Sequence, residues 1–305
     1  MATSRKPLFD PDEKTATEGK PVEAAPAETD AAAPLTAPPE PDVVAGRALM
    51  VGALLERARL ESTPKGPGAD GVGGEAEARF TALQAWVDEL GLFSNLGPDG
   101  VELFEGKLGS WSDEDIESVD WTSEELVMLL WALGKTDLPR LDTRADSAGL
   151  VAKLPLLGPA EPFIDDATLR PLDELEVHRA LCEALLEAIR SEVYARSILE
   201  DPASLEPDED LEELLSSVAA EGFDRKAAAA TSAANEAVQG LRYWSRTLLS
   251  ELFASGSPHE AHRIDSAQLV GLDEATLATW LGVAHSRTEA MAWLLEGDEY
   301  ETGER

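Results

Sequence analysis

From residue 43 onward, apolar residues recur at the three- and four-residue spacing of amphipathic α-helices. Residues 43–61 form the first such stretch, and a loop rich in Gly and Pro follows at 62–74. The next helix is predicted to end at Gly91, a residue suited to a left-handed C-terminal stop. Its apolar face is expected to contain Phe80, Leu83, Val87 and Leu90.

The most apolar stretch, residues 121–139, reads WTSEELVMLLWALGKTDLP. A membrane segment, a pocket wall and a buried core helix are the three interpretations to separate. Thr122 and Glu125 have the spacing of a capping box, Trp121 and Leu126 that of a hydrophobic staple. A Gly stop after residue 133 leaves a helix of about 12 residues, too short to cross a bilayer. Because its apolar residues surround the axis, it is predicted to lie at the centre of a bundle.

Three further helices are predicted, and Ser112 is expected to cap a short one of its own. A long helix follows Pro171, another spans much of 223–256, and the last begins after Asp273 and ends at Gly297. The apolar side of the first of these is expected to comprise Leu175, Leu181, Cys182, Leu185, Ile189 and Val193. No alternating β pattern occurs, so the predicted fold is all-α: a single orthogonal or mixed helical bundle around a central apolar helix.

Residues 1–42 differ in composition, with eight of the chain's 19 prolines and few apolar residues. Such a segment cannot bury enough surface to offset the entropy of ordering, so it is predicted to be a disordered acidic arm. The predicted organisation is therefore an arm at 1–42, a helical domain at 43–298 and a tail at 299–305. Leu8 and Phe9 lie between basic and acidic residues, which suggests either a docking peptide or an incidental apolar pair.

The net charge is −35, from 60 acidic and 25 basic residues. This balance excludes nucleic acid as an expected partner, because phosphate binding requires a basic surface. A basic protein would be complementary, although acidity also serves solubility alone. The lone Cys182 cannot form an internal disulfide, and neither a signal peptide nor a membrane span is evident, so we expect a cytoplasmic protein without membrane insertion.

Four motifs carry a family resemblance. Trp121, Glu124 and LLWALG at 129–134 form the first; GLFSNLGPDGVELFEG, with Glu102, precedes it. LRP at 169–171 with Glu174 and Arg179 follows, and Arg287, Ala290, Trp293 and Leu294 mark the last helix. The chain thus resembles a bacterial family catalogued as domain of unknown function 4272 (DUF4272), over about residues 43–298. The resemblance implies a helical fold and no activity.

Candidate chemistry is sparse. His259 and His262 lie near Glu260 and Asp265, but H-E-A-H lacks the H-E-x-x-H spacing that places two imidazoles on one helix face. They are weak metal candidates, with a solvated loop as the alternative, and no cofactor is expected. No phosphate-binding glycine loop or G-x-S-x-G motif appears, so an enzyme is not the favoured interpretation.

Arg170, Arg179 and Arg287 are predicted to lie on apolar helices and to pair with carboxylates such as Glu174. The alternative is a pocket in which Arg179 and Arg287 together bind an anionic group. That alternative requires both guanidiniums to face a cleft without carboxylates neutralising them.

The aromatic residues divide into two groups. Trp121, Trp131, Trp280 and Trp293 are expected in the core, whereas Trp111, Tyr243 and Trp244 are candidates for exposed partner-binding anchors. The favoured function is a noncatalytic helical protein-interaction module, an adaptor or component of a larger assembly with the arm as tether or docking peptide. Alternatives are a small anionic-ligand binder or enzyme, and an acidic antagonist or chaperone of a basic protein.

Overall fold

The computed structural model describes residues 38–62, 74–137, 140, 142–200, 225–253, 264 and 266–297. All regular structure in these ranges is helical, which confirms the all-α prediction. The helices are α1 (Pro41–Glu61), α2 (Gly74–Glu89), a 3-10 turn (Leu92–Asn95), α3 (Pro98–Glu105), α4 (Asp113–Trp121), α5 (Ser123–Ala132), α6 (Ser147–Val151), α7 (Glu161–Asp165), α8 (Leu172–Glu200), α9 (Arg225–Leu252), α10 (Ser266–Gly271) and α11 (Glu274–Glu296).

Helix α5 occupies the centre of the larger hydrophobic core. It contacts α1, α4, α6 and α11, and Leu126, Leu129 and Leu130 have no solvent exposure. The apolar residues around its axis therefore meet a helix on each side, as predicted from the sequence. Helix α1 also lies in this core, where Leu49 and Met50 are fully buried.

The start of α5 differs from the sequence prediction. Thr122 has right-handed helical backbone angles and makes no side-chain cap to the helix. Its hydroxyl instead donates to the carbonyl of Val119, 2.7 Å away. Because α4 runs almost directly into α5, Thr122 cannot adopt the extended conformation that a capping box requires, and that prediction is wrong. The capping box forms one helix earlier, between Ser112 and Asp115.

The end of α5 agrees with the prediction. Gly134 has a φ of 66°, in the left-handed region that glycine adopts readily because it has no Cβ. Its N–H donates to the carbonyl of Trp131, and the N–H of Lys135 donates to that of Leu130, at 2.9 and 2.8 Å. These two bonds define a Schellman motif, which satisfies carbonyls that the helix end would otherwise leave unpaired.

Helices α8, α9 and α11 build a second core. Leu185 of α8 clusters there with Leu249 of α9, whereas Ile198 and Ala234 share a third cluster, so α8 and α9 run antiparallel. The predicted apolar side of α8 is buried except for Val193, which is 38% exposed and is a correction to that face. Asp273 caps α11 as predicted, by accepting from the N–H of Thr276.

Candidate functional site

Two segments that lie 163 residues apart in the chain meet in the core. Glu124 of α5 accepts a 2.8 Å hydrogen bond from Nε of Arg287 on α11, and both side chains are buried. The other carboxylate oxygen of Glu124 accepts from the N–H of Ala145 at 2.6 Å. Arg287 also donates to the carbonyls of Arg140 and Thr143. The pair therefore holds the connection between α5 and α6 against α11.

Arg170 binds the C-terminal end of α5. Its Nε donates to the carbonyl of Trp131 at 2.8 Å, and its backbone N–H donates to that of Ala132 at 2.8 Å. Its guanidinium also lies 5.1 Å from the centre of the Trp131 ring and pairs with Glu174. Arg170 thus donates to carbonyls at the C-terminal end of α5, where the helix dipole favours a positive charge.

Arg179 pairs with two carboxylates, Glu183 at 2.7 Å and Glu296 at 2.6 Å. Burial alone would lower the pKa of Arg179, but the hydrogen bonds that Arg179 donates to these carboxylates outweigh it and raise the pKa. Because Arg287 has its own carboxylate in Glu124, neither guanidinium meets the condition set for an anion pocket. The geometry agrees with the prediction that these arginines pair with carboxylates, and the ion pairs fix the packing of the helices.

A cleft of about 320 Å³ opens between α1, the junction of α4 with α5, and one face of α11. Trp121 and Trp293 line it, and its polar lining consists of Arg47, Thr122, Glu125, Ser286 and Glu289. Gly282 allows this arrangement, because a Cβ added there would lie only 2.8 Å from the ring of Trp121. The sequence indicated both tryptophans as core residues and gave no signal that they line a common cleft.

An arginine of the chain already lies over each of these indole rings. The guanidinium of Arg47 is 4.2 Å from the centre of the Trp293 ring and pairs with Glu125 at 2.5 Å. The guanidinium of Arg144 is 4.1 Å from the centre of the Trp121 ring. Both contacts are cation–π interactions, in which the indole ring attracts the positive charge of the guanidinium.

A second cleft, of about 360 Å³, has an ion-pair cluster at its edge that the sequence analysis missed. Buried Glu56 accepts hydrogen bonds from both Arg59 and Arg79. Burial alone would raise the pKa of Glu56, but the two arginines outweigh it and lower the pKa. The i, i+3 spacing of Glu56 and Arg59 was a usable signal, whereas Arg79 comes from another helix.

Tyr243 and Trp244 are adjacent and exposed on α9, at 70% and 46% of their surface. Half-buried Leu241 and Leu248 lie on the same side of the helix as Trp244, at the spacing of an apolar stripe. The structure therefore places the predicted anchors of α9 at the surface, where a partner could reach them.

Trp111 has a role within the fold that the sequence did not indicate. Its indole N–H donates to the carbonyl of Leu103 at 2.9 Å, and the guanidinium of buried Arg57 lies 4.6 Å from its ring centre. Phe80 lies over the same guanidinium at 4.3 Å. Trp111 is consequently half-buried, and Tyr243 and Trp244 are the more accessible anchors.

The structure describes Cys182 but not the candidate metal ligands His259 and His262. Cys182 is buried, and burial raises the pKa of its thiol to about 12, so it is not a reactive nucleophile. Across the described ranges, no group of His, Cys, Asp and Glu is arranged to hold a metal ion. The candidates Leu8, Phe9, His259 and His262 lie outside the described residues.

No helix in the described part of the chain is long and apolar enough to span a membrane.

Comparison with known proteins identifies the family and no individual relative. A search of curated proteins found no match, and neither did a search of solved structures. Residues 19–201 match the family described as "Domain of unknown function (DUF4272)". That range contains Glu124, Arg170 and the whole of α5, and it covers more than half of the 305 residues. The chain therefore belongs to the DUF4272 family.

Proposed function

We propose that the protein is a noncatalytic helical interaction module, an adaptor or component of a larger assembly in the bacterial cytoplasm. The observation that carries this proposal is the exposed Tyr243–Trp244 pair on α9. Tryptophan and tyrosine concentrate binding energy at protein interfaces, because they bury a large area at a small cost in conformational entropy.

The position of Trp244 favours a helical docking face. Leu241 and Leu248 flank it at i−3 and i+4 and are themselves half-buried, so a partner that covers Trp244 also covers them. A partner could bind this apolar stripe through an apolar groove of its own. Residues 1–42 serve in this proposal as a tether or as a docking peptide around Leu8 and Phe9.

The charge of the chain restricts the partner. With a net charge of −35, association with a basic protein is accelerated by electrostatic attraction, and other acidic proteins are disfavoured. Salt dependence separates the adaptor role from that of an acidic antagonist or chaperone. An adaptor bound through Trp244 remains bound as salt rises, whereas a complex held by surface charge dissociates.

The test is photo-crosslinking in the source cells. A benzoylphenylalanine replacing Tyr243 in the full chain is expected to crosslink a specific protein, which is then identified by mass spectrometry. The same probe is placed in a chain that also carries Trp244→Ala, and in one that carries Val177→Ala. Val177 is 45% exposed on α8, so its truncation is matched in exposure to that of Trp244.

The crosslinked product should be lost with Trp244→Ala and kept with Val177→Ala. Equal yields from both variants would show that α9 is not the docking face. Repeating the crosslinking in cell lysate at low and high salt then assigns the complex to the adaptor or to the charge-covering role.

A further inference from the structure

We propose that the cleft between Trp121 and Trp293 binds the guanidinium of an arginine side chain from a partner protein. This proposal rests on the proposed interaction role, but it uses a surface of α1, α5 and α11 rather than the Tyr243–Trp244 face of α9. Binding at the cleft and binding at the α9 face can therefore be tested independently of each other.

The aromatic walls favour an arginine. Each of the two indole rings already has a guanidinium over it: Arg47 lies over Trp293 at 4.2 Å, and Arg144 lies over Trp121 at 4.1 Å. Guanidinium stacks on indole because its delocalised charge is weakly hydrated and is attracted by the ring quadrupole. Because Trp121 and Trp293 both line the cleft, a partner's guanidinium that enters it would contact indole surface.

The charge of the cleft also favours a cation. Among the described residues that line the cleft, Arg47 is the one cation, and Glu125 and Glu289 are the carboxylates. Glu125 already pairs with Arg47 at 2.5 Å. Glu289 also lines the cleft with half of its side chain exposed, and His285 lies 3.4 Å from it in the same helix. The described lining therefore has one excess negative charge, which an incoming arginine would neutralise.

The dimensions suit a side chain presented by a peptide. The cleft volume of about 320 Å³ lies at the lower end of the range for ligand pockets. A neighbouring cleft of about 510 Å³ shares Arg47 and Trp293 with it and contains Asp42. Residues flanking the bound arginine could follow this second cleft.

The experiment measures binding of two peptides to the full chain by isothermal titration calorimetry. One is acetyl-Gly-Arg-Pro-Gly-amide, and the other carries citrulline, which has nearly the same shape as arginine but no charge. We expect the arginine peptide to bind about tenfold more tightly, because citrulline loses both the cation–π and the ionic attraction. Equal affinities, or no binding of the arginine peptide at millimolar concentration, would overturn the proposal.

A pair of charge reversals then locates the site. Glu289→Arg and Glu187→Arg change the net charge equally, and both replaced side chains are about half exposed, at 51% and 52%. Glu289→Arg should weaken the arginine peptide about tenfold, whereas Glu187→Arg should change its affinity less than about twofold. Equal weakening by both would mean general attraction to an acidic surface and would contradict the proposed site.

One more variant separates this proposal from the proposed function. Trp244→Ala should leave the affinity for the arginine peptide unchanged, because Trp244 is not part of the cleft lining. If Trp244→Ala weakened the peptide as strongly as Glu289→Arg does, the arginine would bind on α9, and the cleft would be excluded as its site.

Discussion

Glu124 and Arg287 are separated by 163 residues in sequence and form a fully buried ion pair at 2.8 Å in the core. Backbone groups of the connection between α5 and α6 supply the remaining hydrogen bonds. The N–H of Ala145 donates to Glu124, and the carbonyls of Arg140 and Thr143 accept from Arg287. A buried charge is costly unless it is paired and hydrogen-bonded, so the two residues depend on each other.

Removing one member of this pair should destabilise the fold strongly. Glu124→Ala is expected to lower the free energy of unfolding by about 3–5 kcal/mol, because Arg287 would remain buried without its carboxylate. Urea denaturation followed by circular dichroism measures the change. The control is Glu187→Ala, which removes an exposed pair with Arg190 and should cost less than about 1 kcal/mol. A similar loss in both variants would contradict the importance of the buried pair.

The glycine that ends α5 should be sensitive to a methyl group. Gly134→Ala places a side chain in the left-handed region at φ 66° and is expected to cost about 1–2 kcal/mol of stability. The matched control is Gly240→Ala within α9, where an added Cβ meets nothing within 4 Å. That change should instead stabilise the protein by about 0.5–1 kcal/mol, because alanine is the better helix former. Thermal denaturation should therefore shift in opposite directions for the two variants.

The ion-pair cluster around Glu56 should contribute to acid sensitivity. Its pKa is lowered in the folded protein from an ordinary value of 4.5, so the folded state favours the ionised carboxylate. This contribution is present above about pH 4.5 and is lost as the pH falls through the lower, folded-state pKa. Glu56→Gln should consequently be less stable than the wild type at neutral pH, with the difference shrinking below pH 4.5. Urea midpoints at several pH values measure it; a difference independent of pH would exclude this linkage.

The Cys182 thiol should be protected until the protein unfolds. Burial raises its pKa to about 12, so the folded protein keeps the thiol protonated and shielded. Ellman's reagent at mildly alkaline pH should react at the rate of unfolding, and urea should accelerate the reaction. Because the pKa is higher when folded, this group's contribution to stability is present below about pH 9 and is lost as the pH rises towards 12. Rapid reaction in the absence of denaturant would contradict the buried position.

Two tryptophans that appeared similar in the sequence should respond differently to truncation. Trp111→Ala removes an indole hydrogen bond and a stacking partner of Arg57, so a loss of about 2 kcal/mol or more in stability is expected. Trp244→Ala removes an exposed side chain and should change stability by less than about 0.5 kcal/mol. Denaturation of both variants tests this, and comparable losses would show that Trp244 packs within the fold.

The sequence by itself determined the helical class, the central position of α5 and several helix ends. Ser112, Gly134 and Asp273 act where the sequence predicted, because caps and left-handed stops depend on a few consecutive residues. The hydrophobic period also predicted the buried faces, since burial follows from the spacing of apolar side chains along a helix.

Only the tertiary structure decided how the charges and aromatic rings are used. Three arrangements join distant parts of the chain: Glu124 pairs with Arg287, Arg57 lies over Trp111, and Trp121 lines the same cleft as Trp293. Thr122 does not cap α5 as predicted, because the preceding helix α4 holds its backbone in a helical conformation. Local patterns carry no information on such distances, because which helices become neighbours depends on how the whole chain packs its apolar surface.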